Sequence, residues 1–214
     1  GGLGEIGLNM MAVDCDGTII VIDAGLMFPE DYMLGVDYVI PDMDYIRAHR
    51  RRIKAILLTH AHEDHVGALP YLLRDVNVPV YATRFTLGIV RHKLEEHGLL
   101  AAALLHTVTP GDILPLDPFR IEFIRVNHSV VDGVGLSIET PLGRIIHTGD
   151  FKISHTHMCG MTTDVNRFAR LGQEGVLALL SDSTNVEKPG YTVSDRDIGE
   201  TLKGIFSRSR GRVI

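Results

Sequence analysis

Residues 57–67, LLTHAHEDHVG, put four metal-type side chains (His60, His62, Asp64 and His65) within six positions of an apolar run. This constrains the fold more than any other feature. The run IKAILLTH reads as a buried strand ending at Thr59, and such a strand needs cover on both faces. The cluster then falls on the loop at the strand's carboxyl end, where folds carry their sites. The next stretch, HVGALPYLLRD, reads as a helix with Asp64 close to its N-terminus.

The rest of the chain repeats the pattern. Residues 5–14 and 18–23 read as strands joined by a turn at Asp16-Gly17, a strong hairpin signal. Residues 26–41, with Pro29, Gly35 and Pro41, read as a loop, and 42–49 as a short helix. VPVYAT reads as a strand, and RFTLGIVRHKLEEHG as a helix closed by Gly98. Further strands are expected at 104–109, 119–126, 134–140 and 143–148, a helix at 164–171, a buried strand in GVLALLSD, and a helix at 194–207 opened by Ser194. Alternating strands and helices followed by meandering strands predict an α/β sandwich, sheets inside and helices outside.

Bulk properties narrow the function classes. The 214 residues suffice for one sizeable core, which must be aliphatic because there is no Trp. No apolar run reaches the roughly 18 residues of a membrane helix. A net charge of −6 does not mark a nucleic-acid binder by bulk electrostatics. The basic stretch at 47–54, RAHRRRIK, reads as a solvated helix end favoured by cations. Two cysteines, Cys15 and Cys159, are too few for a disulfide framework and suit a reducing cytosol.

Imidazole and carboxylate together suit zinc and neighbouring divalent ions. His60 and His62 are two residues apart, so an extended segment turns both rings to one side. Asp64 and His65 come after the turn and can face a second position. His128 follows the apolar stretch RIEFIRVN, and Asp150 follows RIIHTG, each at the end of an expected strand. Alone, either residue would read as a cap. With the cluster they complete a ligand set, in which Asp150 can bridge two ions through its two oxygens. Asp23, another strand-end residue, reads as a support that holds a loop or a ligand ring.

THAHEDH matches the H-x-H-x-D-H signature of the metallo-β-lactamase fold, and GGLGEIGLNM, LTHAHEDHVGALPYLL, VNHS, HTGDFKI and LLSDSTN closely resemble the ribonuclease J family of its β-CASP branch. The resemblance covers nearly the whole chain. It implies an αββα sandwich, with residues 1–210 as the amino-terminal, incomplete part of the lactamase domain and 211–214 as the start of a truncated β-CASP domain. It implies two divalent ions, zinc first and manganese second: one on His60, His62 and His128, the other on Asp64 and His65, with Asp150 shared. Asp64, Asp150 and His65 would take part in catalysis. Asp182, with Asp23 and His147, would support the ligands, and Ser129 and Ser183 would touch substrate. The family's remaining metal-binding histidine lies downstream and has no match here. The implied activity is metal-dependent hydrolysis of RNA phosphodiesters, exonucleolytic from the 5′ end or endonucleolytic, in a cytoplasmic enzyme of RNA processing and decay that forms homo-oligomers.

Other readings compete. A lactamase, lactonase or thioesterase of the same fold would share the ligand set, but SDSTN and GGLGEIG belong to the β-CASP branch. A metal-binding fragment without turnover is the third reading. GLGEIG satisfies G-x-G-x-x-G, yet it leads into a strand rather than a helix, so no nucleotide cofactor is expected. SHTHMC, with His155, His157 and Cys159, reads as a variable surface loop, and His49, His92, His97 and His106 as ordinary helix or loop residues.

Overall fold

The computed structural model describes residues 1–154, 162–191 and 193–213. Two five-stranded sheets pack face to face. The first holds β1 (Met11–Cys15), β2 (Thr18–Ile22), β3 (Ile53–Leu57), β4 (Val80–Ala82) and β5 (Leu105–Thr107), hydrogen-bonded in that order. The second holds β6 (Ile113–Leu116), β7 (Phe119–Arg125), β8 (Val134–Thr140), β9 (Gly143–His147) and β10 (Ala178–Leu180).

The connections follow from the sequence between strands. β1 and β2 are antiparallel across the Asp16-Gly17 turn, whose residues have φ of 47° and 80°. Both angles are positive, as the expected hairpin turn requires. β2 to β5 run parallel, so each link crosses over through helices: α1 (Asp44–Ala48), α2 (Glu63–Val66) with α3 (Leu69–Asp75), and α4 (Arg84–Glu96). β6 to β9 form an antiparallel meander, and β10 returns parallel to β9 after α5 (Val165–Glu174).

Side chains alternate along each buried strand. Ile19, Val21, Ile56 and Leu58 face the helices and pack with Leu72, Leu87, Val90 and Leu94. Ile20, Ile22, Ala55 and Leu57 face the other way, onto Phe119, Ile121, Phe123 and Leu136 of the second sheet. On that sheet's outer face Ile124 and Ile146 meet Leu171 and Phe168 of α5. The layers are therefore helix, sheet, sheet, helix, and the aliphatic core lies in two sheets of contacts on either side of β2 and β3.

Several details depart from the sequence reading. Residues 5–10 continue the glycine-rich loop that begins at Gly1, so β1 starts at Met11. The helix expected from 65 onward is two helices, broken at Gly67-Ala68. A Cβ at Gly67 would sit 2.3 Å from Leu26 Cγ, so the chain turns where only glycine fits. β6 falls outside the expected strands; it lies at the sheet edge, where its Pro115 is tolerated. β10 is not buried: it is an edge strand, and Leu179 is 64% exposed. The helix opened by Ser194 is α6 (Asp195–Arg208), where the Ser194 hydroxyl accepts from the Asp197 amide.

The basic stretch sits at the amino end of β3, opposite the end that carries His60. Arg47 is paired with Asp44 and Asp75, and Arg52 with Asp14. His106 stacks on Tyr81 across β4 and β5. His155, His157 and Cys159 lie outside the described residues. Among the described residues no helix is long and apolar enough to cross a membrane.

Candidate metal centre

Within each sheet β2 and β3, and β7, β9 and β10, run the same way, and their carboxyl ends meet at one rim of the sandwich. Asp23 follows β2, His60 follows β3, His128 follows β7, Asp150 follows β9 and Asp182 follows β10. The sequence thus delivers its strand-end residues to one place from both sheets.

Four of them form one group: His60, His62, His128 and Asp150 have ligand atoms all within 4.8 Å of one another. His60 Nε2 lies 3.0 Å from His62 Nδ1, His128 Nε2 lies 3.2 Å from the same atom, and Asp150 Oδ2 lies 3.5 Å from His128 Nε2. Asp64, His65 and Asp150 form a second group within the same limit. His65 Nε2 is 3.4 Å from Asp150 Oδ1 and 3.6 Å from Asp64 Oδ2. Asp150 therefore offers one oxygen to each group.

Thr59 and Asp23 set the rings. The Asp23 carboxylate accepts from the Thr59 amide (2.7 Å) and hydroxyl (2.8 Å) and lies 2.7 Å from His65 Nδ1. Having donated its proton to Asp23, the Thr59 hydroxyl accepts from His60 Nδ1 at 3.0 Å. That leaves the unprotonated Nε2 of His60 facing the cluster. Asp23 itself has a φ of 59°, an angle aspartate tolerates better than most residues, and these hydrogen bonds hold it there.

The electrostatics split the two groups. Burial drives His60 down to about 3, with the neighbouring His65 charge adding to it. Burial also lowers His128 and His147. His65 goes the other way: burial opposes its proton, but the charges and hydrogen bonds of Asp23 and Asp150 outweigh it and raise the ring to about 10. Asp23 is buried, which resists ionisation, yet His65 keeps its pKa below the usual carboxylate range. Asp150 is lowered too, against burial, by its hydrogen bond to His65 and the surrounding imidazoles.

Neighbouring backbone holds the ligand turn rigid. The carbonyls of Glu63, Asp64 and His65 accept from the amides of Leu26, Asn9 and Ala24. This contact requires Gly25, where a Cβ would lie 1.6 Å from the Asp64 carbonyl oxygen. The Glu63 carboxylate takes both oxygens to Lys93 of α4, at 2.9 and 2.8 Å.

The remaining expected residues surround the cluster. The Ser129 hydroxyl is 3.3 Å from His62 Nε2. His147 accepts the Gly149 amide on Nδ1 at 3.1 Å and so shapes the turn before Asp150. The Asp182 side chain accepts from the amide and hydroxyl of Thr184. Asp182 and Ser183 line a cleft of about 500 Å³, together with Asp64, Asp150 and the glycine-rich loop at 2–7. Asn9 is a residue the sequence reading missed: its amide nitrogen donates to Asp64 Oδ2 at 3.2 Å and lies 3.1 Å from His65 Nε2. It is 55 residues from Asp64 in the chain, so only the folded arrangement reveals it.

The donor set fits divalent cations. Three imidazoles and a carboxylate converge on one position, and two carboxylates and an imidazole on the next, which is N/O chemistry suited to zinc and its neighbours.

A layered sandwich with this cluster on its rim defines a class, and a model of the metallo-beta-lactamase superfamily matches residues 4–179. The chain belongs to that superfamily. Within it, the chain is 46% identical to ribonuclease J 1 of Streptococcus pyogenes, over 100% of this chain and 38% of that protein. It is 45% identical to ribonuclease J of a Synechocystis species, over 100% of this chain and 34% of the relative. The chain thus spans less than two-fifths of the length of these relatives. A crystal structure of a protein of unknown function from Enterococcus faecalis shares the fold, with a TM-score of 0.64 at 19% identity, covering 98% of this chain and 56% of the other.

Proposed function

We propose that the chain is the amino-terminal lactamase part of a ribonuclease J-type enzyme that hydrolyses RNA phosphodiesters with two divalent ions, zinc before manganese. The observation that carries this reading is the paired ligand groups sharing Asp150, on a chain similar to ribonuclease J along its whole length. His60, His62 and His128 would hold one ion and Asp64 and His65 the other, with Asp150 common to both. Bound there, the ions would supply Lewis acidity toward a phosphoryl group and a water acidified to near neutrality.

The chain's own residues do the rest. Asp23 and Thr59 fix the ring orientations. Asp64, a partly exposed carboxylate facing the cleft, orients the attacking water. Ser129 and Ser183 offer hydroxyls to the phosphate backbone at the cluster and along the cleft. The glycine-rich loop lets that backbone approach closely. Cytoplasmic RNA processing or decay, cleavage from the 5′ end or within a strand, and assembly of the longer protein into homo-oligomers all belong to this reading. A metal-binding role without turnover is the alternative for the chain by itself.

Elemental analysis of the purified chain beside His60→Ala tests the centre, and hydrolysis of labelled RNA against a β-lactam and a lactone tests the substrate. The expected result is bound zinc or manganese, clearly reduced in the variant, and RNA as the preferred substrate of the longer protein. A chain without bound metal, or lactam turnover in place of RNA turnover, would overturn the reading.

A further inference from the structure

A second groove opens on the same rim. It has a volume of about 430 Å³ and is lined by Arg84, Phe85, Gly88, Ile89, Val131 and Asp132. Phe85, Gly88 and Ile89 share one face of α4 through their i, i+3, i+4 spacing. Phe85, Ile89 and Val131 are 42%, 40% and 46% exposed, so the groove presents an open ring edged by aliphatic side chains. A Cβ at Gly88 would meet nothing within 4 Å, so the missing side chain is what leaves the floor flat.

The groove's place along the rim gives it meaning. β4 runs parallel to β3, so Arg84 and Phe85 leave the sheet at the end where His60 does. Val131 and Asp132 lie on the loop that carries His128 and Ser129, and that loop is tied back by the Val134 amide to the Thr59 carbonyl at 2.9 Å. The cleft beside Asp64 lies toward β2, and this groove lies toward β4, on the other side of β3. A strand whose phosphate sits at the cluster has room on both sides, with polar groups on one and an aromatic ring on the other.

We infer that this groove is a stacking subsite for a nucleobase of single-stranded RNA lying across the cluster, an inference that rests on the ribonuclease reading. Phe85 takes the base face, Ile89 and Val131 cover its edges, Arg84 supplies a cation for the adjoining phosphate, and Asp132 offers an acceptor for base N–H groups. Stacking on an aromatic side chain is independent of base identity, which suits a nuclease acting on varied sequences.

The test is fluorescence anisotropy with a short, phosphorothioate-linked single-stranded RNA carrying a 5′ fluorescein, using the zinc-loaded protein. Phe85→Ala and Phe85→Leu are expected to weaken binding about 5- to 100-fold, the range for losing one base–aromatic stack, and Phe85→Trp to bind like wild type. Gly88→Leu fills the groove while improving helix propensity, so it should weaken binding without lowering the melting temperature. If wild type binds and Phe85→Ala or Phe85→Leu binds equally well, the subsite is overturned and the ribonuclease reading stands. If zinc-loaded wild type binds no RNA, the subsite is overturned for this chain, while RNA turnover by the longer protein decides the ribonuclease reading separately.

Discussion

Asp23→Asn removes one buried charge and little else. Asparagine has nearly the same shape and tolerates the same left-handed backbone angle. What it cannot do is balance a cationic His65. In the wild-type chain His65 keeps its proton to about 10 rather than 6.5, with Asp23 Oδ2 2.7 Å from Nδ1. At about 1.4 kcal/mol per pKa unit, the charged ring contributes on the order of 5 kcal/mol below pH 6.5 and nothing above about 10. Between those values the native chain holds one proton more than the unfolded chain, so stability falls as pH rises, by about 1.4 kcal/mol per pH unit. In Asp23→Asn only Asp150 still favours the ring's proton against burial, so the folded-state pKa of His65 falls and the pH window of this slope shrinks. The variant should lose about 3 kcal/mol at pH 7, the low end for a broken buried pair, because Asp150 still faces the ring. Urea denaturation in EDTA at several pH values between 7 and 9 measures both quantities. The gap between the two proteins should narrow steadily with pH. A loss below about 1 kcal/mol, or equal slopes, would refute the ion pair.

Two further expectations follow from the same geometry. A cation reaching His65 Nε2 must expel its proton, whereas His60, held neutral by burial, has none to give; calorimetry in buffers of different ionisation enthalpy should detect about one proton released in wild type that His65→Ala does not release, and zinc affinity at this group should rise with pH. No difference in proton release would count against the cationic ring. Phe123→Ala empties a fully buried site between the sheets and should lower stability by about 3–5 kcal/mol in urea melts, with weaker zinc binding as the sheets lose their spacing; unchanged stability would mean that the layer repacks.

What the sequence revealed was whatever a short stretch encodes by itself. The Asp16-Gly17 turn needs two positive φ angles, and that requirement is written in the dipeptide. The ligand turn is equally local, since period-two spacing puts His60 and His62 on one side. Burial of a strand is different. LALL looks the same in a central strand as at an edge, and only the sheet order tells that β10 has an open side. The support of the site was also hidden. Asn9 against Asp64, Lys93 against Glu63, and Gly25 against the Asp64 backbone are contacts between segments tens of residues apart. A lysine on a helix or a glycine after a strand has many ordinary explanations, and no pattern singles these out.

The ligands come from strands of both sheets, and this makes the rim a clasp across two leaves. His60 and His62 belong to one leaf, His128 and Asp150 to the other. An ion gripping all four would oppose any motion that slides or splays the leaves. By mass action, at a hundred times its dissociation constant it would add about 2.7 kcal/mol to the folded state. The same linkage runs in reverse: whatever presses the leaves together, such as a packed layer or a partner domain, tightens the grip on the ion. Metal loading in such a protein would then gauge how firmly its two halves are closed.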